Sequence, residues 1–310
     1  EQLAELNYDY NADNVKLVVL GNYLDLSKII NQTEVYKQNI ALAEKRLANI
    51  EKFYKQGMIT RNDVIRGQLQ LSNLKLALDV VENNRKILNK QLTTSLGLPE
   101  ETVIKPDPAL TDKMPEVLSV DTYREDIKDH AAAQMSEKLV EIQEVNKKIT
   151  RAELVPSIST FAGNKLARPI TTTSPVLDMY SNSWSGGLGL NWSIDSLYKT
   201  PEKLKQNDLE RERAIAQQRD TENNLDIAVT AAYIKFNEAV SQKNTLEMNK
   251  NLAYENYRII SSKYENQLAI ILDLVDASNA KLDADLQYAN AEINVIYSYY
   301  RLLKESGKLK

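Results

Sequence analysis

Two aspartates three residues apart form the clearest arrangement of charged groups in this sequence. Asp273 and Asp276 lie in a segment with helical spacing, so both carboxylates project from one side of a helix. If several copies of the chain met around an axis, these side chains would form two stacked acidic rings. Converging carboxylates repel one another, which raises their pKa values, and such rings favour cations. The alternative is a pair of solvated surface carboxylates, which is usual for aspartate on a helix.

The remaining reactive side chains do not form a catalytic constellation. His130 is the only histidine and the chain has no cysteine, which excludes disulfides, thiol catalysis and a multi-histidine metal site. The sequence also lacks a glycine-rich phosphate loop and the HExxH and GxSxG motifs. We therefore predict a protein that is not an enzyme and that needs no metal and no cofactor. His130 is expected to have a structural or surface role.

The composition of the 310 residues indicates a water-exposed helical protein. Hydrophobic residues make up 43% and charged residues 26%, and the net charge is only -4. The sequence has no basic stripe, so nucleic-acid binding has little support. It has no run of about 18 apolar residues either, so no transmembrane helix is expected.

The chain repeats itself, without a gap, at a shift of 210 residues. Identical pairs at this shift include Tyr23 and Tyr233, Leu42 and Leu252, Ala43 and Ala253, Ile50 and Ile260, Tyr54 and Tyr264, Asp63 and Asp273, Leu76 and Leu286, and Gly97 and Gly307. Solenoid units are much shorter, at about 20–50 residues. The repeat instead indicates one large structural half used twice, with each half a pair of very long helices.

Proline placement predicts where these helices lie. All eight prolines fall between Pro99 and Pro201, and a proline inside a helix costs about 3 kcal/mol. In the proline-free blocks, apolar residues recur at intervals of three and four, as in a coiled coil. Gly57 marks a turn, and Gly97 ends the return helix. The expected helices span 3–56, 62–96, 120–153, 202–265 and 271–306.

Residues 157–195 have a different character, with strand-like alternation. In the second part of this segment, every second residue is apolar or small: Trp184, Gly186, Leu188, Leu190, Trp192 and Ile194. A tilted strand of about 10 residues is long enough to cross a bilayer. Trp184 and Trp192 would then lie near the two interfaces, where aromatic girdles occur. Ser157–Asn164 is the expected partner strand. The alternative is a small β-ribbon packed on the helices.

Spanning strands constrain the oligomeric state. Open sheet edges cannot face lipid, so such strands close into a barrel of at least about eight. One strand pair cannot close, and three copies of four strands would make a twelve-stranded barrel. The first copy of the repeat has no counterpart of residues 120–210 ahead of it. We therefore expect this sequence to be a fragment whose first strand pair lies upstream.

Several motifs, in their order, resemble the TolC-like outer-membrane efflux protein family, also called outer membrane factors. Residues 54–65 (YKQGMITRNDVI) and 264–277 (YENQLAIILDLVDA) resemble the two helical hairpin tips. Residues 124–127 (REDI) stand where the family often has Arg-Pro-Asp-Leu. Leu154–Ser157 resembles the entry into a strand, and Gly189–Asp195 resembles the strand that returns to a helix. The resemblance covers nearly the whole chain.

This resemblance implies a mainly α fold with very long antiparallel coiled-coil hairpins in two repeats. A β-hairpin would contribute to a trimeric twelve-stranded transmembrane barrel. The implied regions are 1–97, the first helical hairpin of a periplasmic tunnel; 98–119, a connector in the equatorial region; 120–154, a helix of the second repeat; 155–195, the β-hairpin of the barrel; and 196–310, the second helical hairpin.

The resemblance also implies roles for residues at the tips. The implied periplasmic gate consists of Asp273, Asp276, Tyr264 and Asp63. Tyr264 has the alternative of a core coiled-coil tyrosine, and Asp63 that of a helix N-cap. The implied adaptor-docking residues, which otherwise merely cap the turns, are Gly57, Met58, Ile59, Gln267, Leu268 and Ala269. Two of them depart from the family. The family has glycine at the position of Gln267, and some members have at the position of Ala269 a basic residue that helps to hold the tunnel shut.

The expected function is an exit duct in the outer membrane of a Gram-negative bacterium, with its helical part in the periplasm. As a homotrimer, it would pass substrates outward in a tripartite efflux or type I secretion system. Its partners would be a periplasmic adaptor, an inner-membrane pump and outer-membrane lipid, but no nucleic acid. The alternatives are an elongated periplasmic adaptor, against which the scarcity of strand signals argues, and a coiled-coil scaffold, which would be water-soluble.

Overall fold

Long helices and one β-hairpin make up the computed structural model, which describes residues 1–107, 115–172 and 174–309. The helices are α1 (Gln2–Lys55), α2 (Arg61–Ser95), α3 (Val120–Glu125), α4 (Ala131–Ala152), α5 (Ser196–Glu265) and α6 (Ile271–Glu305), and the strands are β1 (Ser157–Ala167) and β2 (Ser181–Asn191). The predicted mainly α fold with a β-hairpin is confirmed. The chain divides into a first unit, Glu1–Gln134 with Glu222–Lys310, and a second unit, Met135–Thr221.

The first unit contains two antiparallel helical pairs, α1 with α2 and the end of α5 with α6. Helix α1 also packs on α6. Buried residues recur along one stripe of each helix, such as Ala43 and Ile50 on α1 and Val64, Gly67 and Leu74 on α2. These spacings of three and seven residues are those of a coiled coil. Each fully buried aliphatic side chain contributes about 1.5–3 kcal/mol, so the stripe holds the helices together.

The core of the first unit consists of separate clusters along the helices. The tip cluster lies next to the two helical turns and takes residues from α1, α2, α5 and α6: Ile50, Val64, Tyr264, Ile271 and Leu274. A second cluster contains Leu24, Ile293 and Ile296. A third surrounds Tyr123, Ile127 and Leu302. The tip cluster is the one that positions the predicted gate and docking residues.

The predicted continuous helix over 120–153 is wrong. Helix α3 ends at Glu125, a 3-10 turn follows over Asp126–Asp129, and α4 begins at Ala131. Between them His130 is extended, with φ of -68° and ψ of 131°. Its Nδ1 accepts a hydrogen bond of 3.1 Å from the N–H of Ala132, so the histidine caps the start of α4. His130 is buried, so of the expected structural or surface role the structure supports the structural one.

The predicted start of the fifth helix at residue 202 is also wrong. Helix α5 begins at Ser196 and includes Pro201. A proline here leaves only the carbonyl of Leu197 without its helical partner. Leu197 is exposed, so water can solvate that carbonyl. The cost of the proline is therefore small at this position.

The predicted connector, residues 98–119, is irregular where the structure describes it. Residues 108–114 of this connector lie outside the described residues. Its first part is held on α2 by Asn89, whose side chain donates to the carbonyl of Thr102 and accepts from the N–H of Ile104, both at 2.8 Å. The Tyr23 hydroxyl accepts from the N–H of Asp107 at 3.0 Å.

In the second unit, polar pairs join α4 to the first part of α5. Lys147 pairs with Asp208, and Arg211 with Glu144. The side-chain amide of Asn207 donates to the Thr150 hydroxyl at 2.6 Å. The same unit contains the two-stranded antiparallel sheet of β1 and β2.

Within the described ranges of the chain, we find no helix with a stretch long and hydrophobic enough to span a lipid bilayer.

Candidate functional site

Both helical hairpins reverse direction in turns with the same backbone geometry. Gly57 has a φ of +74°, and Gln267, its equivalent at the shift of 210, has a φ of +60°. In each turn this residue and the next donate their N–H groups to carbonyls of the preceding helix, at 2.7–3.0 Å. Glycine is usual in this left-handed position, because a side chain costs about 1–2 kcal/mol there. Gln267 therefore carries strain that Gly57 does not.

The predicted docking residues differ in their exposure. Met58 and its equivalent Leu268 are exposed by 54% and 77%. Ile59 and its equivalent Ala269 instead pack against the tip cluster. Of the predicted docking residues, Met58 and Leu268 thus supply most of the exposed apolar surface, and Ile270 in the second turn is also exposed. The two turns also touch, because the side-chain amide of Gln267 donates a weak hydrogen bond to the Met58 sulfur at 3.6 Å.

Two of the predicted gate aspartates cap the helices that follow the turns. The Asp63 carboxylate accepts from both the N–H and the hydroxyl of Thr60 at 2.8 Å, and the Thr60 hydroxyl accepts from the N–H of Asp63 at 3.4 Å. This is a capping box in which Thr60 is the N-cap. At the equivalent place on α6, Asp273 accepts from the N–H of Ile270 at 3.3 Å. Both carboxylates therefore contribute to helix initiation.

Asp276 is the aspartate that has no such role. Asp273 and Asp276 are both exposed and project from one side of the first turns of α6, as the spacing predicts. Among the residues that the structure describes, Asp276 forms no hydrogen bond and no ion pair. Its charge is available to another molecule or another copy of the chain.

The fourth predicted gate residue, Tyr264, lies in the tip cluster. It is exposed by only 8%, and its hydroxyl has no hydrogen-bond partner within the described part of the chain. Burial raises the pKa of Tyr264, as does the nearby Asp63, whereas the charge of Arg46 opposes the shift. A buried hydroxyl without a partner costs about 1–3 kcal/mol.

The β-hairpin has two chemically distinct faces. Strands β1 and β2 pair from Ser157 opposite Asn191 to Ala167 opposite Ser181. Because directly paired residues share a face, the large apolar side chains gather on one side: Ile158, Leu166, Trp184, Leu188 and Leu190. Trp184 and Leu188 are each 80% exposed. Trp192, the second predicted girdle residue, follows the last residue of β2 and is also exposed.

The opposite face of the hairpin carries mainly serine, glycine and asparagine, with one large apolar exception. Phe161 lies directly opposite Gly187. A Cβ on Gly187 would come within 2.8 Å of the Phe161 ring, so the ring occupies the space above that glycine. An aromatic ring that covers a glycine on the neighbouring strand helps to fix the register of the two strands.

A comparison with models of protein families assigns the chain to a family. The model for outer membrane efflux proteins matches residues 130–308, which is more than half of the chain. The chain belongs to the outer membrane efflux protein family. The location expected from the sequence, in the outer membrane of a Gram-negative bacterium with the helical part in the periplasm, is confirmed.

Solved structures show the same fold as this efflux protein. A membrane protein from Pseudomonas aeruginosa is 16% identical, with a TM-score of 0.81 over 99% of this chain and 71% of the other. The CmeC outer membrane channel of Campylobacter jejuni is 13% identical, with a TM-score of 0.77 over 99% and 65%. The outer membrane protein VceC of Vibrio cholerae is 14% identical, with a TM-score of 0.75 over 100% and 74%. No curated protein sequence matches the chain.

Sequence analysis did not predict one hydrogen-bonded group of side chains in this efflux protein. Arg46 on α1 donates to the Gln70 side-chain oxygen at 3.0 Å and to the Tyr257 hydroxyl at 2.9 Å. These partners lie 24 and 211 residues away along the chain. The internal repeat could have pointed to this group, because Arg46 aligns with Asn256 and is therefore not repeated in the second copy.

Proposed function

We propose that this protein is the exit channel of a tripartite efflux or type I secretion system. In this proposal it works as a homotrimer, together with a periplasmic adaptor and an inner-membrane pump. The β-hairpin carries the proposal. It exposes a nearly continuous apolar face, and it is two-stranded among the described residues, so each strand has an edge with free N–H and C=O groups.

The apolar face supports insertion in lipid. Burying a side chain such as Leu188 or Leu190 in an apolar medium gains about 1.5–3 kcal/mol. An unpaired backbone group in the same medium costs several kcal/mol. Lipid therefore stabilises the hairpin only if strands from other copies cover its edges. Three chains with two strand pairs each satisfy this condition in a twelve-stranded barrel, whose polar interior would receive the serine-rich face.

The acidic side of α6 supports a gate. In a trimer, Asp273 and Asp276 of the three chains would converge around the axis as two rings. Like charges in such rings repel one another and attract cations. Asp276 would serve this role alone, whereas Asp273 also holds the start of its helix. Tyr264 in the tip cluster and Asp63 in the capping box of α2 would support the gate.

The exposed apolar turns support docking of an adaptor. Met58 and Leu268 project from otherwise polar helices, and exposed apolar side chains at a tip are typical of a protein interface. Met58→Asp and Leu268→Asp remove little internal packing, so the protein should fold but lose binding to its adaptor in a pull-down assay. Unchanged binding of both variants would rule out docking through these residues.

The central experiment is reconstitution of the full-length protein in a planar lipid bilayer, with its mass measured in detergent. We expect a trimer and discrete channel openings. A monomer in detergent, or the absence of openings in a protein that remains folded, would contradict the proposed function.

A further inference from the structure

The two hairpin tips share their backbone geometry but carry opposite net charges. The first tip region, residues 51–66, has four cations and two carboxylates, a net charge of +2: Lys52, Lys55, Arg61 and Arg66 against Glu51 and Asp63. The second tip region, residues 261–276, is its equivalent at the shift of 210. It has one cation and three carboxylates, a net charge of -2: Lys263 against Glu265, Asp273 and Asp276. The two copies therefore share the turn but not the sign of its charge.

Two of these differences are direct reversals at equivalent positions. Lys55 is the last residue of α1, and Glu265 is the last residue of α5. Arg66 in α2 likewise aligns with Asp276 in α6, and all four side chains are exposed. The capping aspartates of the two regions, in contrast, have the same sign in both copies. Charge is thus shared where it caps a helix and reversed at these two pairs of positions.

The fold does not account for these signs. The C-terminus of a helix favours a cation, and the N-terminus favours a carboxylate. Glu265 at the end of α5 and Arg61 at the start of α2 have the opposite sign, so each slightly destabilises its own helix. Both side chains are exposed, as are those of Lys52 and Lys55. Among the residues that the structure describes, none of these four forms an ion pair, so their charges are available to a partner.

We propose that the partner of the tips presents carboxylates to the first tip region and lysine or arginine side chains to the second. The proposal rests on the proposed function, in which this partner is the periplasmic adaptor. Met58 and Leu268 offer the partner similar apolar contacts in the two turns. Similar contacts cannot distinguish the turns, whereas charges of opposite sign favour one placement of the partner and disfavour the other. The charges therefore determine which part of the adaptor meets which tip region.

Charge complementarity of this kind acts mainly on the rate of association. Complementary surfaces attract each other before they touch, and like charges that a wrong placement brings together repel each other. Salt screens this attraction between exposed groups, with a screening length of about 10 Å at 0.1 M. The adaptor should therefore associate faster at low salt than at high salt, whereas its apolar contacts with Met58 and Leu268 should depend little on salt.

The test exchanges exposed residues between the two tip regions without changing the total charge. The swap variant combines Lys52→Ser and Lys55→Glu with Ser262→Lys and Glu265→Lys, so each helix end receives the residues of its equivalent. The residues of the proposed gate stay in place. The probe is the adaptor that is purified together with the wild-type full-length protein from its host. Surface plasmon resonance at about 0.05 M and about 0.5 M salt measures the association rate of this adaptor.

We expect the adaptor to associate roughly tenfold more slowly with the swap variant than with the wild type at low salt, and the difference to shrink at high salt. Lys86→Glu is the control, because it reverses an exposed charge roughly 40 Å along α2 from the first tip region, far beyond the screening length. Its association rate should match that of the wild type.

Equal association rates for the swap variant and the wild type, or a slower rate that salt does not alter, would overturn the proposal. A lower free energy of unfolding in the swap variant would also overturn it, because the charges would then act within the protein. Wild-type protein from which no adaptor can be purified would contradict the proposed function itself. Binding by the wild type with an unaffected swap variant would overturn only the charge arrangement.

Discussion

Gly97 and Gly307 end equivalent helices in the same left-handed conformation, but only Gly307 packs tightly against another segment. Their φ angles are +65° and +75°. A Cβ at Gly97 would meet no atom within 4 Å, whereas one at Gly307 would lie 3.1 Å from the Cα of His130. The internal repeat therefore provides a matched pair of glycines that separates the cost of the backbone conformation from the cost of a close contact.

Gly97→Ala should lower the free energy of unfolding by about 1 kcal/mol, the cost of a side chain in this conformation. Gly307→Ala should lower it by about 2–4 kcal/mol, because the added methyl also presses on the backbone of His130. Urea unfolding of the two variants measures both values. Equal losses would show that the contact with His130 contributes nothing.

The stability of the protein should depend on pH through His130. Burial lowers the pKa of His130 below 6.5, as does the charge of Lys304, and Glu305, Asp13 and a hydrogen bond with the backbone of Lys304 only partly offset this. Because the pKa is lower in the folded protein, the unfolded chain binds more protons, and stability falls as the pH drops below about 6.5. The slope should approach about 1.4 kcal/mol per pH unit.

Denaturant midpoints between about pH 7.5 and pH 5 measure this dependence. His130→Asn keeps a side chain that can cap α4 but removes the titrating group, so its stability should change less over the same range. Parallel curves for the two proteins would assign the pH dependence to the carboxylates.

Gln267→Gly should raise the free energy of unfolding by about 1 kcal/mol, because glycine relieves the left-handed strain at the second tip. The loss of the weak contact to Met58 will reduce this gain slightly. Gln267→Ala is the control, since alanine has no contact with Met58 and retains the strain. Thermal or urea unfolding gives the comparison, and destabilisation by glycine would show that the contact outweighs the strain.

Asp273→Ala and Asp276→Ala should differ in their effect on stability but not in the direction of their effect on conductance. Loss of the Asp273 carboxylate frees the N–H of Ile270 and should cost about 0.5–1 kcal/mol. Loss of Asp276 should leave unfolding unchanged. Both variants should raise single-channel conductance because each removes one ring of charge. Unchanged conductance in the double variant would contradict the proposed acidic gate.

The two faces of the β-hairpin should respond oppositely to a lysine. Leu188→Lys places a charge on the apolar face, and a lysine near the middle of a bilayer costs about 2–4 kcal/mol in a membrane barrel. Ser185→Lys places the same charge on the opposite face of the same strand. We expect membrane fractionation to show loss of Leu188→Lys and retention of Ser185→Lys. Equal amounts of both in the membrane would contradict lipid contact at Leu188.

The sequence predicted those parts of the fold that depend on local spacing. Gly57 marked the first turn, and the resemblance to the family placed the second turn at Gln267 although glycine is absent there. The alternation around Trp184 predicted β2. The break between α3 and α4 was missed because the sequence has no proline or glycine there. The break depends instead on the burial of His130 against residues that are distant in the sequence.

The contacts of the candidate site were harder to predict than its positions. The spacing of Asp273 and Asp276 placed them correctly on one side of a helix. It could not show that Asp273 caps that helix, since a capping bond depends on where the helix starts to within one residue. Arg46 and Tyr257 lie too far apart in the chain for any local pattern to join them. Phe161, on the serine-rich face, obscured the regular alternation of β1.

The free edges of the β-hairpin have a consequence for biogenesis. A newly exported chain must travel to its destination while it displays two extended backbones that can pair with any other unfolded polypeptide. In the proposed trimer, bilayer entry and subunit encounter would therefore coincide, because neither alone satisfies those edges. We therefore expect overproduction of the chain to end in β-rich aggregates, which form through these edges.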